Sequence, residues 1–350
     1  MTKRIVIESH IPFVGNQLDG IAEVVRLAPE EITREAVADA DALIVRTRTR
    51  CDASLLEGSR VGLVATATIG TDHIDKEYCR SRGIEVVSAP GCNAPAVAQY
   101  VWASVLTLRP QIEGLTIGIV GMGHVGTIVA DWARRLGVRV LPCDPPRERE
   151  ESRSDFWKKL PAVPEPFTDL ATIAREADII TFHTPHTKEG LDPTHHLADE
   201  KFFNALERRP IAINAARGPI VATEAILRAI EAKKISEAVI DCWEGEPRIS
   251  EPLLTSAAIA TPHIAGYSIE GKQRATAAAL RAALRYFGAP AERIASITAP
   301  PAYHSDIRIT PEAILASYNP LADTATLRAD FTDARFEQLR NTYPLRHELL

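Results

Sequence analysis

The sequence predicts an α/β protein: two Rossmann-like, doubly wound parallel-sheet domains with a small α+β module at the C-terminal end. Three observations lead there. An apolar run, Leu115 to Val120, meets Gly121, Gly123 and Gly126 in G-x-G-x-x-G spacing. Short β-branched runs alternate with helical patterns before and after that point, and from Gly288 the chain turns proline-punctuated.

The glycine stretch carries a complete β-α-β unit. Val125, Val129, Trp132 and Leu136 recur at helical spacing, Gly137 is placed to end the helix, and Val138 to Cys143 supplies the next strand. Each glycine has its own physical reason, since one makes the tight turn, one lets a pyrophosphate approach the backbone, and one packs helix on strand. Asp144 closes the second strand, near the spacing of about 20 residues at which a carboxylate reaches a ribose diol. A dinucleotide is the expected cofactor. Asp144 would repel a 2′-phosphate, so NAD is expected over NADP, although Arg147 stands close by.

At 350 residues with 45% hydrophobic and 25% charged residues, the chain can bury two cores. A net charge of -6 without a basic stripe leaves nucleic acid and anionic membrane without an electrostatic footprint. Five cysteines without a C-x-x-C pair read as reduced thiols, and no apolar run reaches membrane length. MTKRIVIESH reads as a first strand rather than a signal segment. A cytoplasmic protein with a small-molecule ligand is expected.

In chain order, strands are expected at Arg4 to Ile7, Ala42 to Val45, Val61 to Ala65 and Ile84 to Val87, with a helix over Asp72 to Arg82. Residues 1–92 with 268–287 form the expected substrate domain, its strand ends carrying Arg46, Thr47 and Thr68. The apolar helix in Ala89 to Leu108 leads into the expected dinucleotide domain, 93–267. After Asp144, Pro145 to Phe167 reads as a surface loop with a short helix at its centre. Strands at Asp178 to Phe182, Pro210 to Ile213 and Ala238 to Asp241 follow, each ending in polar residues. A helix over Ile269 to Phe287 precedes the expected dimerisation module, 288–350, with a helical tail around Phe331 to Leu339.

Arg217, Asp241, Glu246 and His263 all lie at predicted strand ends, where open α/β sheets bind their ligands. Oxidising a secondary alcohol with a nicotinamide needs a proton acceptor, a cation for the substrate's carboxylate, and alignment for hydride transfer. His263 suits the first role, because its intrinsic pKa lies near neutrality and a carboxylate such as Glu246 would raise it. Arg217 suits the second through its planar fork. Singly, His263 could cap the next helix and Arg217 could be a solvated loop charge; the shared placement favours chemistry. His183, His186, His195 and His196 lack metal-ligand spacing and read as loop residues, and no metal is expected.

VGMGHVG, INAARGPIV, DCWEGEP and TPHIAGYS together resemble the D-isomer-specific 2-hydroxyacid dehydrogenases. VRTRT at 45–49, ATATIGTDHID at 65–75, SAPGCNAPAVAQYV at 88–101, CDPPR at 143–147 and FEQLRNTYPLR at 336–346 extend the likeness to a branch acting on a phosphorylated acid. The resemblance implies a catalytic set of Arg217, Glu246 and His263, with His263 as acid/base. It implies NAD contacts from Gly121, Gly123, His124, Val125, Gly126, Asp144, Thr184, Ala215, Ala216, Asp241 and Gly266. Substrate contacts are expected from Thr47, Thr68 and Tyr267, with Arg46 at the phosphate end, helped by Arg346 from a partner subunit. A homodimer through the C-terminal module is implied as well. Gln99, Ala222 and His347 depart from the family's pattern, standing where Glu, Asp and a second Arg are usual. The alternatives are a family member acting on another 2-hydroxy acid and a non-catalytic NAD(H)-sensing protein.

Overall fold

A computed structural model of the chain describes residues 3–150, 154–302 and 307–349. Two compact units result, Met1–Asn93 with Ser268–Ala302, and Ala94–Tyr267 with Tyr303–Leu350. Residues 151–153 of the expected surface loop and 303–306 of the expected C-terminal module lie outside the described residues.

The first unit holds a five-stranded parallel sheet. Its strands are β1 (Arg4–Glu8), β2 (Glu23–Leu27), β3 (Ala42–Val45), β4 (Leu63–Thr66) and β5 (Glu85–Val87), in the order β2-β1-β3-β4-β5. Strand β2 is absent from the sequence-based expectation. It lies at the sheet edge with no fully buried residue, so it lacks the continuous apolar run that marks β3 and β4. The helix Ile269–Tyr286 packs Ala279, Leu280, Ala283 and Leu284 into the same core as Ile5, Ile44 and Leu63. The order reverses between β1 and β3, and this is the position where such sheets bind ligands.

The second unit holds a six-stranded parallel sheet. Strands β6 (Thr116–Val120), β7 (Arg139–Cys143), β8 (Ile179–Phe182), β9 (Ile211–Asn214), β10 (Glu237–Ile240) and β11 (Ile259–Ala260) lie in the order β11-β10-β9-β8-β6-β7. Both faces are covered, as an all-parallel sheet requires. On one side the helices Ala94–Leu108 and His124–Arg135 bring Trp102, Val105, Val129 and Trp132 to Ile117 and Ile213; on the other, Phe202, Ile226 and Leu253 pack with Ile180 and Ile240. Here the switch point falls between β6 and β8. The segment after Asp144 begins helical, Pro145–Glu150, rather than carrying its short helix at the centre.

The C-terminal stretch differs from expectation. Among the described residues beyond 288 there are helices and no strand, so it is not an α+β module. Nor does it stand apart: Ala291–Ala295 belongs to the first unit, and Pro311–Ser317, Pro320–Ala329 and Asp333–Asn341 to the second. The sequence suggested a separate body because few residues there are apolar. Those few, Ile314, Leu327 and Phe336, are fully buried in the second unit's core. No described helix is long and apolar enough to cross a membrane.

Phe336→Ala should therefore destabilise the second unit by about 3–5 kcal/mol, the usual result of emptying an aromatic site in a core. Denaturant unfolding followed by near-UV circular dichroism measures it.

Candidate active site

The glycine loop follows β6, and each glycine has a distinct steric reason. Gly121 has φ +97°, and a Cβ there would lie 2.7 Å from the carbonyl carbon of His183. A Cβ on Gly126 would sit 2.0 Å from the Gly121 oxygen, so only glycine lets this helix start against the turn. Around Gly123 nothing lies within 4 Å. That open backbone is the helix N-cap and has no side-chain capping bond, so its first N–H groups remain for an anion. Thr184 Oγ1, at the end of β8, is buried without a partner among the described residues. His124 and Val125 form the first turn of the helix.

Asp144 directly follows β7 and ties this loop to the strand. Its Oδ2 accepts from Met122 N at 2.8 Å and its Oδ1 from Arg147 N at 2.9 Å. Burial raises its pKa, against the lowering effect of those two backbone donors. Arg147 is fully buried and donates to Met122 O (2.5 Å), Thr127 Oγ1 (3.1 Å) and Pro161 O (2.7 Å). Its guanidinium is committed to the protein.

His263, Glu246 and Arg217 come from three loops beyond β9, β10 and β11. Asn214, the last residue of β9, fixes two of them: its Nδ2 donates to Arg217 O at 3.0 Å and Cys242 O at 3.2 Å. Gly218 is required where these loops touch, because a Cβ there would lie 1.9 Å from Trp243 O. Glu246 accepts from Trp243 N through Oε1 at 2.7 Å, and its Oε2 lies 2.8 Å from His263 Nδ1. Arg217, half-buried, bonds its own loop at Ala216 O and flanks Ala215 and Ala216.

The His263 loop is held under constraint. His263 itself has φ +56°, the left-handed region that a residue with a Cβ rarely adopts. Buried Asp241 holds it there: Oδ1 accepts from Thr261 Oγ1 and Ile264 N, both at 2.7 Å, and Oδ2 from Ala265 N at 3.1 Å. Burial opposes the charged imidazole, but the Cys242 sulfur and the Glu246 carboxylate outweigh it and raise the His263 pKa well above its usual value. For Glu246, burial pushes upward, and His263 overcomes this to hold the pKa below the usual carboxylate range. Cys242 Sγ, whose pKa burial raises, bonds Ala216 O at 3.4 Å.

An imidazole, a carboxylate bonded to it, a guanidinium and a glycine turn with an open helix N-terminus thus all lie beyond the carboxyl ends of one sheet. The chain is 46% identical to an erythronate-4-phosphate dehydrogenase of Bacteroides thetaiotaomicron, over 99% of this chain and 97% of that protein. The profile of the D-isomer specific 2-hydroxyacid dehydrogenase, NAD binding domain, matches residues 93–265.

The chain belongs to the D-isomer-specific 2-hydroxyacid dehydrogenase family.

NAD is the cofactor of this dehydrogenase family, and the open Gly123 backbone and the unpartnered Thr184 hydroxyl fit it. Among solved structures, a Thermus thermophilus protein aligns with TM-score 0.68 and 28% identity, covering 81% of this chain and 97% of its own. A D-lactate dehydrogenase from Aquifex aeolicus, solved with NAD and lactic acid, has TM-score 0.68 at 24% identity, over 84% and 98% of the two chains.

Within the first unit of this family member, Arg46 and Thr47 follow β3, and Thr68 follows β4. Arg46 N donates to buried Glu8 Oε2 at 2.9 Å, while its Nε is buried without a partner among the described residues. Thr47 is exposed, and Thr68 Oγ1 lies 2.6 Å from Thr66 Oγ1. In the second unit, Gly266 and Tyr267 are half-buried just after His263, with Tyr267 edge-on to Tyr343.

Within its own unit, the Arg346 guanidinium bonds Gln99 Oε1 (3.2 Å), Ile264 O (3.2 Å), Ala96 O (3.1 Å) and Ala265 O, and lies over the Tyr318 ring. Gln99, the family departure, is fully buried and also donates to Ser317 Oγ. At the second departure, Ala222 cannot cap the helix Thr223–Glu231, and Glu244 accepts from Thr223 N in its place at 2.7 Å. Glu244 also holds His196 Nε2 at 2.6 Å, while His186 and His195 pair at 3.1 Å. His347, the third departure, is exposed and gives its carbonyl to Gln99.

Arg340 and Asn214 are site residues that sequence reasoning missed. Asn214 had a signal, a polar residue closing an apolar strand; Arg340 lies inside the marked FEQLRNTYPLR stretch, but nothing in that stretch shows which element its side chain meets.

The glycine geometry separates folding from binding. Gly126→Ala should destabilise the second unit through its backbone clash, whereas Gly123→Ala should fold normally and bind NAD at least tenfold more weakly. Thermal unfolding and NAD titration of both variants distinguish the effects.

Proposed function

We propose that this chain oxidises the C2 hydroxyl of 4-phospho-D-erythronate with NAD, giving (R)-3-hydroxy-2-oxo-4-phosphooxybutanoate for pyridoxal 5′-phosphate synthesis in the cytoplasm. The 2.8 Å contact between His263 Nδ1 and Glu246 Oε2 carries the catalytic part of this reading. The full-length likeness to an erythronate-4-phosphate dehydrogenase supports the choice of substrate.

Bound NAD supplies the hydride acceptor. The loop Gly121 to Gly126, Asp144 and Thr184 would hold it, with Ala215, Ala216, Asp241 and Gly266 around the nicotinamide end. With Nδ1 given to Glu246, His263 keeps Nε2 for the proton of the substrate hydroxyl. Glu246 fixes the ring and stabilises the imidazolium that forms, and Arg217 holds the substrate carboxylate in its fork and polarises the growing carbonyl. Arg46, Thr47 and Thr68 take the phosphate, and Tyr267 contacts the substrate. A homodimer through residues 288–350 belongs to this proposal, supported by Leu315 and Leu321, both exposed on helices of that stretch.

Oxidation needs His263 neutral, and its pKa is raised. Activity in that direction should therefore climb with pH through a value above the ordinary histidine pKa of about 6.5, and reduction should fall over the same range. Glu246→Gln removes the carboxylate that favours the imidazolium, so the limb should move to lower pH while kcat falls about 100-fold or more. Initial rates between pH 5 and 10 in both directions provide the check.

Reduction of NAD at its absorbance band on adding 4-phosphoerythronate, with 3-phosphoglycerate and glycerate as controls, tests the substrate. A response specific to phosphoerythronate is expected, and Arg46→Ala should raise its KM about tenfold or more without a matching loss of kcat. Turnover of phosphoglycerate instead would overturn the substrate; silence with all three from folded, NAD-bearing protein would favour a sensor. Sedimentation of the same preparation should give twice the chain mass of 38.2 kDa.

A further inference from the structure

The helix Asp333–Asn341 reaches the catalytic dyad from the far end of the chain. Phe336 anchors it in the core, and one turn further on Arg340 faces the site. Arg340 Nη1 lies 3.8 Å from Glu246 Oε2, the same oxygen that faces His263 Nδ1. Its side chain also hydrogen-bonds Tyr267 and lies 4.0 Å from Glu337 at Nη1. Only 19% of the Arg340 side chain is exposed, and Glu246 is exposed by 17%.

We propose that Arg340 is a positioning residue for the reaction: it orients Glu246 and Tyr267, and its charge sets how strongly Glu246 holds the proton of His263. This rests on the assignment of His263 as the proton acceptor. A buried carboxylate shared between an imidazole and a guanidinium has its charge divided between them, and a fixed cation nearby disfavours a second one on the ring. Arg340 therefore limits the rise of the His263 pKa that Glu246 produces, keeping the ring able to lose its proton again. The charged and titratable groups around the pair are Asp241 and Cys242 from the β10 loop, Tyr267 beyond His263, and Glu337 on the helix of Arg340 itself. The permanent cations of the surrounding elements are Arg217, bonded to its own loop at Ala216 O, Arg346, bonded to Ile264 O and Ala265 O, and Arg340, which lies 3.8 Å from the Glu246 carboxylate. Asp241 is tied to the His263 loop, and Glu337 lies on the side of Arg340 that faces along its own helix.

The arrangement makes the C-terminal helix part of the catalytic unit. Without its guanidinium, Glu246 would keep Trp243 N and His263 but lose its guanidinium partner, and Tyr267 would lose a hydrogen bond.

The test compares Arg340→Gln and Arg340→Lys with the wild type, each shown by thermal unfolding and NAD titration to be folded. Arg340→Gln should lower kcat about tenfold and move the acid limb of kcat/KM upward by about half a pH unit or more, with NAD affinity unchanged. Arg340→Lys should return the limb toward the wild-type position. A limb that stays in place or moves downward in Arg340→Gln would overturn the proposal, as would a loss of kcat that the lysine variant shares in full. The His263 Hε1 resonance, titrated by NMR in wild type and Arg340→Gln, reads the same shift without turnover. If phosphoerythronate proves not to be the substrate, this titration still decides the role of Arg340.

Discussion

The geometry of the site depends on one short stretch of backbone, Thr261 to Ala265, being gripped by opposite charges. Asp241 accepts from the N–H groups of Ile264 and Ala265, while Arg346 donates to the carbonyls of the same two residues. An anion on the donors and a cation on the acceptors leave this stretch little freedom. Tyr100 adds a third restraint, its hydroxyl 2.8 Å from Thr261 Oγ1, which in turn donates to Asp241. Only within such a grip is it reasonable for His263 to hold a positive φ, since the strain of roughly 1–3 kcal/mol must be offset by its surroundings. What results is an imidazole whose direction is set before any substrate arrives.

The same region concentrates buried charge, which in itself is a poor way to gain stability. Desolvating Asp241, Glu246, Arg340 and Arg346 costs more than isolated pairs return, and replacing such groups by apolar ones often stabilises a protein. Here each has several partners, so the cost is met by hydrogen bonds that also fix orientation. The opposed shifts of Glu246 and His263 follow from this: burial alone would favour the neutral form of each, and their contact favours the charged form of each.

How much of this could be read from the sequence depends on how local the cause is. The glycine loop was legible because its steric demands, the Gly121 turn and the contact of Gly126 with the Gly121 carbonyl, arise within a few residues. Glu246 and His263 were legible as polar residues closing apolar strands. Strand β2 was not, since an edge strand without a buried face loses the pattern that marks its neighbours. Arg340 and Arg346 were illegible for a different reason. Their partners lie 81 to 250 positions away for Arg346, and nothing in the helical pattern around Phe336 says which face meets the dyad. The family likeness did mark FEQLRNTYPLR, but the carbonyls of its own unit that Arg346 bonds could not be read from that motif. Glu244 shows the complementary case: the missing cap at Ala222 is supplied by a carboxylate from another loop, so a departure in one motif is compensated in the next.

Cofactor choice follows from the same pattern of commitments. Arg147 lies within three residues of Asp144 and could in principle have met a 2′-phosphate. Buried and bonded to Met122, Thr127 and Pro161, it instead stiffens the glycine loop from beneath. Asp144 keeps capacity: a carboxylate accepts about four hydrogen bonds, and backbone N–H groups take one on each oxygen, leaving an acceptor site on each for the two hydroxyls of a ribose. A phosphate in the place of one hydroxyl would face that carboxylate with its neighbouring cation already engaged. The arginine beside Asp144 is thus present in sequence and withdrawn in structure.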